Sequence, residues 1–257
     1  MNVFLTGASS GIGLALAREF ARRGAVLGLV ARRADVLHAL AAELGARCRA
    51  YPLDVTDRNS LIAAARDFQA HCGDVDVVIA AAGISFGVQT EHYEDLERFD
   101  RILETNLNAV ASCFHPFIGA MRKRGRGTLV AIASVAGVRG LPGTEAYCAS
   151  KAGLISYCES LRVGLHGSGV RVVTIAPGFI RTTMTVGNPY PMPFLMDVDA
   201  FARRAADAIE RGRSFVVIPW QMGWVARLLR VLPNWAFDRL LARRPRKPRY
   251  PDEASPG

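Results

Sequence analysis

The sequence predicts an α/β protein: a doubly wound, seven-stranded parallel sheet with helices on both faces, extended at its C-terminus by further helix. Two observations carry this. Seven short apolar runs alternate with stretches of helical periodicity across residues 2–218. Such alternation with short connections implies right-handed crossovers and parallel pairing. The first strand-to-helix junction, Thr6-Gly7-Ala8-Ser9-Ser10-Gly11-Ile12-Gly13, is also rich in glycine. There a missing Cβ lets the backbone approach a phosphate at a helix N-terminus.

Each element has its own local reason. Asn2 to Leu5 is an apolar run suited to a buried strand, and Leu14 to Arg23 carries helical periodicity. Candidate strands cover 2–6, 25–30, 47–53, 75–80, 127–133, 170–176 and 214–218. The helical patterns between them cover 11–23, 34–44, 57–71, 94–122, 145–167 and 199–211. Asp57 is placed to cap the third of these. Composition shifts only at a Pro/Met/Phe segment over 188–196 and at a basic, Pro-rich end from Pro245. Residues 1–219 therefore read as one domain, and 220–257 as a basic amphipathic extension without independence of its own.

Half of the 257 residues are apolar, enough to cover both faces of a sheet. No window has the length and purity of a membrane span, and a strand opening at residue 2 argues against a cleavable signal peptide. Cys48, Cys72, Cys113, Cys148 and Cys158 lack paired or metal-like spacing, so reduced thiols in a cytoplasmic protein and no metal are expected. The formal charge is +9, and residues 220–257 hold eight Lys/Arg against three Asp/Glu. That charge suits nucleic acid, an anionic membrane, an acidic partner or plain solvation. No aromatic-and-basic sheet face or reading helix supports the nucleic-acid choice.

The chemistry is carried by Tyr147 and Lys151. Four residues apart on a predicted helix, they share a face. A neighbouring ammonium favours the phenolate and tunes the phenol toward proton exchange with a carbonyl or alcohol. Ser134 follows the fifth strand, where it can hold the same oxygen. Asn106 falls inside a helix, where Asn is not intrinsically favoured and a hydrogen-bonding role would account for it.

With these residues in view, the chain resembles the short-chain dehydrogenase/reductase family over roughly residues 1–218. The match comprises Thr6–Gly13, Asp54-Val55, Asn106, Ser134, Tyr147 with Lys151, and Pro177-Gly178 with Thr182. The resemblance implies a Rossmann-type fold with Tyr147 as general acid/base and Ser134 positioning the substrate oxygen. It makes Lys151 both a ribose ligand and the group that lowers the Tyr147 pKa, and gives Asn106 a water for proton relay. Gly7, Ser9, Ser10, Gly11, Ile12 and Gly13 would cradle the pyrophosphate. Asp54 and Val55 would contact adenine, with Ala81 and Gly83 nearby; Pro177, Gly178, Ile180 and Thr182 would hold the nicotinamide end. One departure stands out. Ala80-Ala81-Ala82-Gly83 replaces the Asn-Asn-Ala-Gly frequent in the family, and the side-chain hydrogen bonds of those asparagines are missing.

Coenzyme choice is read at the end of the second strand. An acid there would favour NAD, whereas Ala31 is followed by Arg32 and Arg33, whose guanidinium groups suit a 2′-phosphate. NADP(H) is expected. The segment Asn188–Met196 falls where the family places its substrate lid, near 184–198, and its apolar side chains among prolines suit a hydrophobic substrate. In the tail, Met222, Val225, Leu228, Leu229 and Leu232 form one helical stripe, with Arg227 and Arg230 opposite and Trp220 and Trp224 at the start. After Pro233 a second set follows, Trp235, Phe237, Leu240 and Leu241, flanked by Arg239, Arg243 and Arg244. This composition suits an interfacial helix over 220–249; a helix pair packed on its own subunit or on a mate, the commoner outcome, has the same stripe. The tail is also similar to those of bacterial reductases related to 3-ketosphinganine reductases.

The expected function is NADP(H)-dependent reduction of a hydrophobic carbonyl compound, reversible as an alcohol dehydrogenation, by a homodimer or homotetramer. The rival is a non-catalytic dinucleotide sensor or scaffold on the same fold; relatives of that kind usually lack the Tyr or Lys that this chain keeps.

Overall fold

A computed structural model describes residues 1–186, 188, 191–242 and 245–249. Pro189 and Tyr190 of the expected lid, Arg243 and Arg244 of the tail, and 250–257 lie outside the described residues. The strands are β1 (Asn2–Thr6), β2 (Val26–Ala31), β3 (Cys48–Pro52), β4 (Val77–Ala80), β5 (Gly127–Ile132), β6 (Val170–Pro177) and β7 (Phe215–Ile218). They form one seven-stranded sheet in the order β3-β2-β1-β4-β5-β6-β7, every neighbouring pair parallel. The chain winds outward from β1 to β3, then returns to lay β4 on the other side of β1. That reversal opens a crevice at the carboxyl ends of β1 and β4, where ligands of such sheets bind.

The helices are α1 (Gly11–Arg22), α2 (Ala34–Leu44), α3 (Arg58–Cys72), α4 (Glu94–Leu103), α5 (Ala109–Arg124), α6 (Glu145–Gly164), α7 (Val198–Glu210), α8 (Trp220–Val231) and α9 (Asn234–Leu241). Their two layers follow from alternation along β1. Val3 and Leu5 pack with Phe20 of α1 and Phe201 of α7 on one face. Phe4, between them, points to the other face, its ring 5.8 Å from Phe68 of α3 and 5.2 Å from Phe117 of α5. All are fully buried. Truncating any of these rings to Ala would cost about 3–5 kcal/mol. Asp57 caps α3 as expected, its carboxylate accepting from the Ser60 N–H at 3.1 Å. No helix among the described residues is long and apolar enough to cross a membrane.

Two expectations need correction. The single helix over 94–122 is three pieces: α4, a π-helical turn over Glu104–Asn108, and α5. The turn inserts a residue into the ladder while helical hydrogen bonding continues, so apolar periodicity does not reveal it. The α8 stripe is also displaced. Met222 and Ala226 are buried and Val225 and Leu229 half-buried, whereas Leu228 lies outside with Trp220, Trp224 and Val231. Ala226 takes the inward place assigned to Leu228, which leaves α8 apolar on both faces. Nor does Arg230 turn away from the protein; its guanidinium donates to the Val138 carbonyl at 3.2 Å.

Candidate active site

The glycine turn leaves β1 at the crevice and enters α1. A Cβ on Gly13 would stand 2.0 Å from the Gly7 carbonyl oxygen, so only glycine lets the helix start sit on the turn. A Cβ on Gly7 would stand 2.7 Å from the Ala82 nitrogen. No side chain caps α1 at Ser10 and its first turn holds no acid. The leading N–H groups therefore have no side-chain partner and form an anion cradle that fits a dinucleotide pyrophosphate.

The two arginines after β2 take different positions. Arg33 folds back on the turn, donating to the Ser9 carbonyl at 2.9 Å and its Oγ at 3.3 Å. Arg32 lines the crevice, almost half exposed and 3.9 Å from Asp54, a separation that leaves it little bound there. Asp54 and Val55, after β3, line the same end.

Deeper in, α6 presents Tyr147 and Lys151 on one face, the Lys151 Nζ 5.8 Å from the Tyr147 ring centroid. Lys151 is 4% exposed and donates to the Ile132 carbonyl at 2.8 Å. Burial pulls its pKa down to about 8, because the ammonium has lost most of its water. Ser134 stands just past β5, where its Oγ accepts from the Ala136 N–H at 3.1 Å and starts a short 3₁₀ turn.

Asn106 sits in the π-helical turn, fully buried. Its Oδ1 accepts from the Ile84 N–H at 2.8 Å, and its Nδ2 donates to the Ile84 carbonyl at 3.0 Å and to the Ser150 Oγ at 3.1 Å. The amide thus fastens the loop after β4 to α6. That loop is fixed at its other end by a residue the sequence left without a role. Thr6 Oγ1 accepts from the N–H groups of Ala81 at 3.2 Å and Ala82 at 3.3 Å. Backbone bonds to Thr6 and Asn106 hold a segment that lacks the family's asparagine side chains. A threonine just ahead of the glycine turn was the available signal.

One cavity of about 630 Å³ joins these parts. Every residue singled out in the sequence for cofactor or catalysis lines it except Arg33 and Asn106, which brace it from behind. It continues past Thr182 to Met222, Val225 and Leu229 on the inner face of α8. Of the expected lid, Asn188, Pro191 and Pro193 line it; Phe194 is half exposed, and Met196 is pinned by backbone bonds to Phe179 and Arg181.

A parallel sheet with this crevice and Ser134, Tyr147 and Lys151 lining it defines a nucleotide-dependent oxidoreductase fold. Comparison with known proteins agrees. The family model described as short chain dehydrogenase matches residues 1–189. An uncharacterized oxidoreductase of Myxococcus xanthus is 41% identical over 237 residues, spanning 91% of this chain and 93% of that one. The 3-oxoacyl-(acyl-carrier-protein) reductase of Escherichia coli is 37% identical over 181 residues, 70% of this chain and 74% of its own. A crystal structure of a short-chain dehydrogenase from Streptomyces avermitilis superposes with a TM-score of 0.80 at 26% identity, covering 94% of this chain and 97% of that one. The chain belongs to the short-chain dehydrogenase family, whose members are oxidoreductases that bind a nicotinamide dinucleotide.

Proposed function

We propose that the protein is an NADP(H)-dependent reductase of hydrophobic, long-chain carbonyl compounds, acting reversibly between ketone and secondary alcohol. The observation that carries this is the placement of Ser134, Tyr147 and Lys151 on one cavity with the glycine turn at one end and the apolar face of α8 at the other. Arg32, only loosely paired with Asp54 and lining the same cavity as the turn, supports the phosphorylated coenzyme. When bound, the nicotinamide ring supplies the hydride in reduction and accepts it in oxidation.

The side chains then divide the remaining work. Ser134 Oγ holds the carbonyl oxygen, and the Tyr147 hydroxyl delivers the proton to it. The Lys151 ammonium stabilises the phenolate that remains and binds the nicotinamide ribose. Asn106, its side-chain amide fixed by three hydrogen bonds, is assigned the relay water on the family resemblance. Met184, Pro191 and Pro193 of the expected lid and the inner face of α8 exclude water from the substrate. A panel of ketones of increasing chain length, assayed with NADPH and NADH, tests the reading. Rates should rise with chain length and with the phosphorylated coenzyme; loss of the NADPH preference, or no turnover of any ketone, contradicts it.

The outer face of α8 supports a surface role. Trp220, Trp224, Leu228 and Val231 are exposed along it, Trp235 follows on α9, and the Arg227 guanidinium lies 5.3 Å from the Trp224 ring. Tryptophan and arginine on an uncovered apolar face suit peripheral attachment to anionic lipid. Our reading is of a cytoplasmic reductase peripheral to the inner face of a membrane; the homodimer or homotetramer expected from the family resemblance is part of the same proposal.

A further inference from the structure

Residues 245–249, beyond α9, return across the molecule to the catalytic cluster. Arg249 grips the fully buried Asp95 carboxylate, Nε to Oδ2 at 2.8 Å and one terminal nitrogen to Oδ1 at 3.1 Å. Arg98 and the Gln89 N–H hold the same carboxylate. Lys247 donates from Nζ to Ser85 Oγ at 2.9 Å. Ser85 adjoins Ile84, the residue Asn106 fastens, and lies two positions past Gly83, where a Cβ would stand 3.6 Å from the Lys151 Nζ. On the other flank Arg246 packs over Gly143, beside Thr144, which bridges to Val88 at the start of α6. The segment is a strap across the two loops that flank Tyr147. Its seat is tight: a Cβ on Gly87 would stand 2.4 Å from the Pro248 carbonyl oxygen.

Lys247 is the unexplained residue of the strap. It is 8% exposed, lines the cavity and has no carboxylate partner among the described residues. Burial alone pulls its pKa down to about 8. An ammonium held from water without a counter-charge is costly, and structures retain one where an anion compensates it. The cavity wall offers none at this end. Asp54, on the adenine side, is the only acid among the described lining residues, whereas Arg101 and Arg139 also line it. Arg139 is already engaged by the carbonyls of Leu229 and Leu232 and by Asn234.

We propose that Lys247 and Ser85 form an anion subsite of the substrate pocket, so that the substrate carries a carboxylate at the end of its apolar body. This rests on reading the cavity as the site of a carbonyl substrate. One ammonium beside one hydroxyl matches a singly charged carboxylate, whereas a phosphate dianion calls for a second buried cation. The apolar body would lie along Met222, Val225 and Leu229, and the strap makes substrate choice depend on a segment far outside the sheet.

Calorimetric binding of 4-phenylbutanoate and its neutral counterpart 4-phenylbutanamide at pH 7, with and without NADP⁺, tests this without turnover. The full-length protein should bind the acid about ten- to a hundredfold more tightly than the amide. Lys247→Met should bring that ratio to within about twofold, and Lys247→Arg should keep most of it. Gly87→Ala, which displaces the strap while leaving Lys247 in the chain, should lower the ratio as well. Equal binding of acid and amide by the unaltered protein, or an unchanged ratio in Lys247→Met, overturns the subsite. If the ratios behave as expected but no ketone is reduced, the subsite stands and the reductase reading fails.

Discussion

Asn106 and Ile84 hold each other through a closed pair of hydrogen bonds, Ile84 N–H to Oδ1 at 2.8 Å and Nδ2 to the Ile84 carbonyl at 3.0 Å. A side-chain amide here does what a neighbouring strand would do, and it does so from a π-helical turn. Asn106→Ala leaves the Ile84 N–H and carbonyl without their side-chain partner, while the Ser150 hydroxyl keeps only its bond to the Tyr147 carbonyl. The variant should lose about 2–4 kcal/mol of stability in urea denaturation. A loss under about 0.5 kcal/mol, the range of ordinary surface changes, would show that the bonds do not hold the loop.

Lys151 gives a pH signature. Its folded pKa, about 8, lies below the ordinary lysine value of about 10.4. Between those values the unfolded chain binds a proton that the native protein lacks, so native stability rises with pH through this window. The full penalty applies below about pH 8. Lys151→Met removes it. The stability of Lys151→Met relative to the unaltered protein, without coenzyme, should be greatest at pH 7 and fall by on the order of 3 kcal/mol, mostly by pH 10. A difference that does not move with pH would mean the ammonium is not desolvated.

Arg32 should read the coenzyme. Arg32→Ala should weaken NADPH binding by about ten- to a hundredfold, the loss of one charge-assisted contact, and change NADH binding little. Fluorescence titration with both coenzymes decides this. Equal losses for the two would assign the phosphate to another residue.

The outer face of α8 should be separable from catalysis, since its side chains point away from the cavity. Full-length protein should co-sediment with vesicles of anionic lipid, and salt should release part of it, each nearby charge contributing on the order of 1 kcal/mol. Trp220→Glu with Trp224→Glu should abolish sedimentation. If unaltered protein stays in the supernatant at low salt, the face belongs to a subunit contact instead.

The sheet and most of the site were legible because they rest on local rules. Alternating runs gave the strand order's raw material, and Tyr147 and Lys151 share a face through the helical repeat alone. What was hidden depends on long-range meetings. The π-helical turn leaves no periodic trace, and Ala226 rather than Leu228 faces inward because the sheet edge, not hydrophobicity, sets the rotation of α8. Lys247 reads in the sequence as one charge in a solvated basic run. Only the buried Asp95, 154 residues from Arg249 in the chain, shows that this run is anchored over the pocket.

The most direct measurement is turnover and coenzyme binding by Tyr147→Phe. The ring stays and the hydroxyl goes, so packing against Lys151 and the coenzyme contacts of α6 are kept. The account predicts that reduction of the best ketone found falls to background while the dissociation constant for NADPH stays within about threefold of the unaltered protein. Turnover near that of the unaltered protein would contradict it, because the proton must then come from another group.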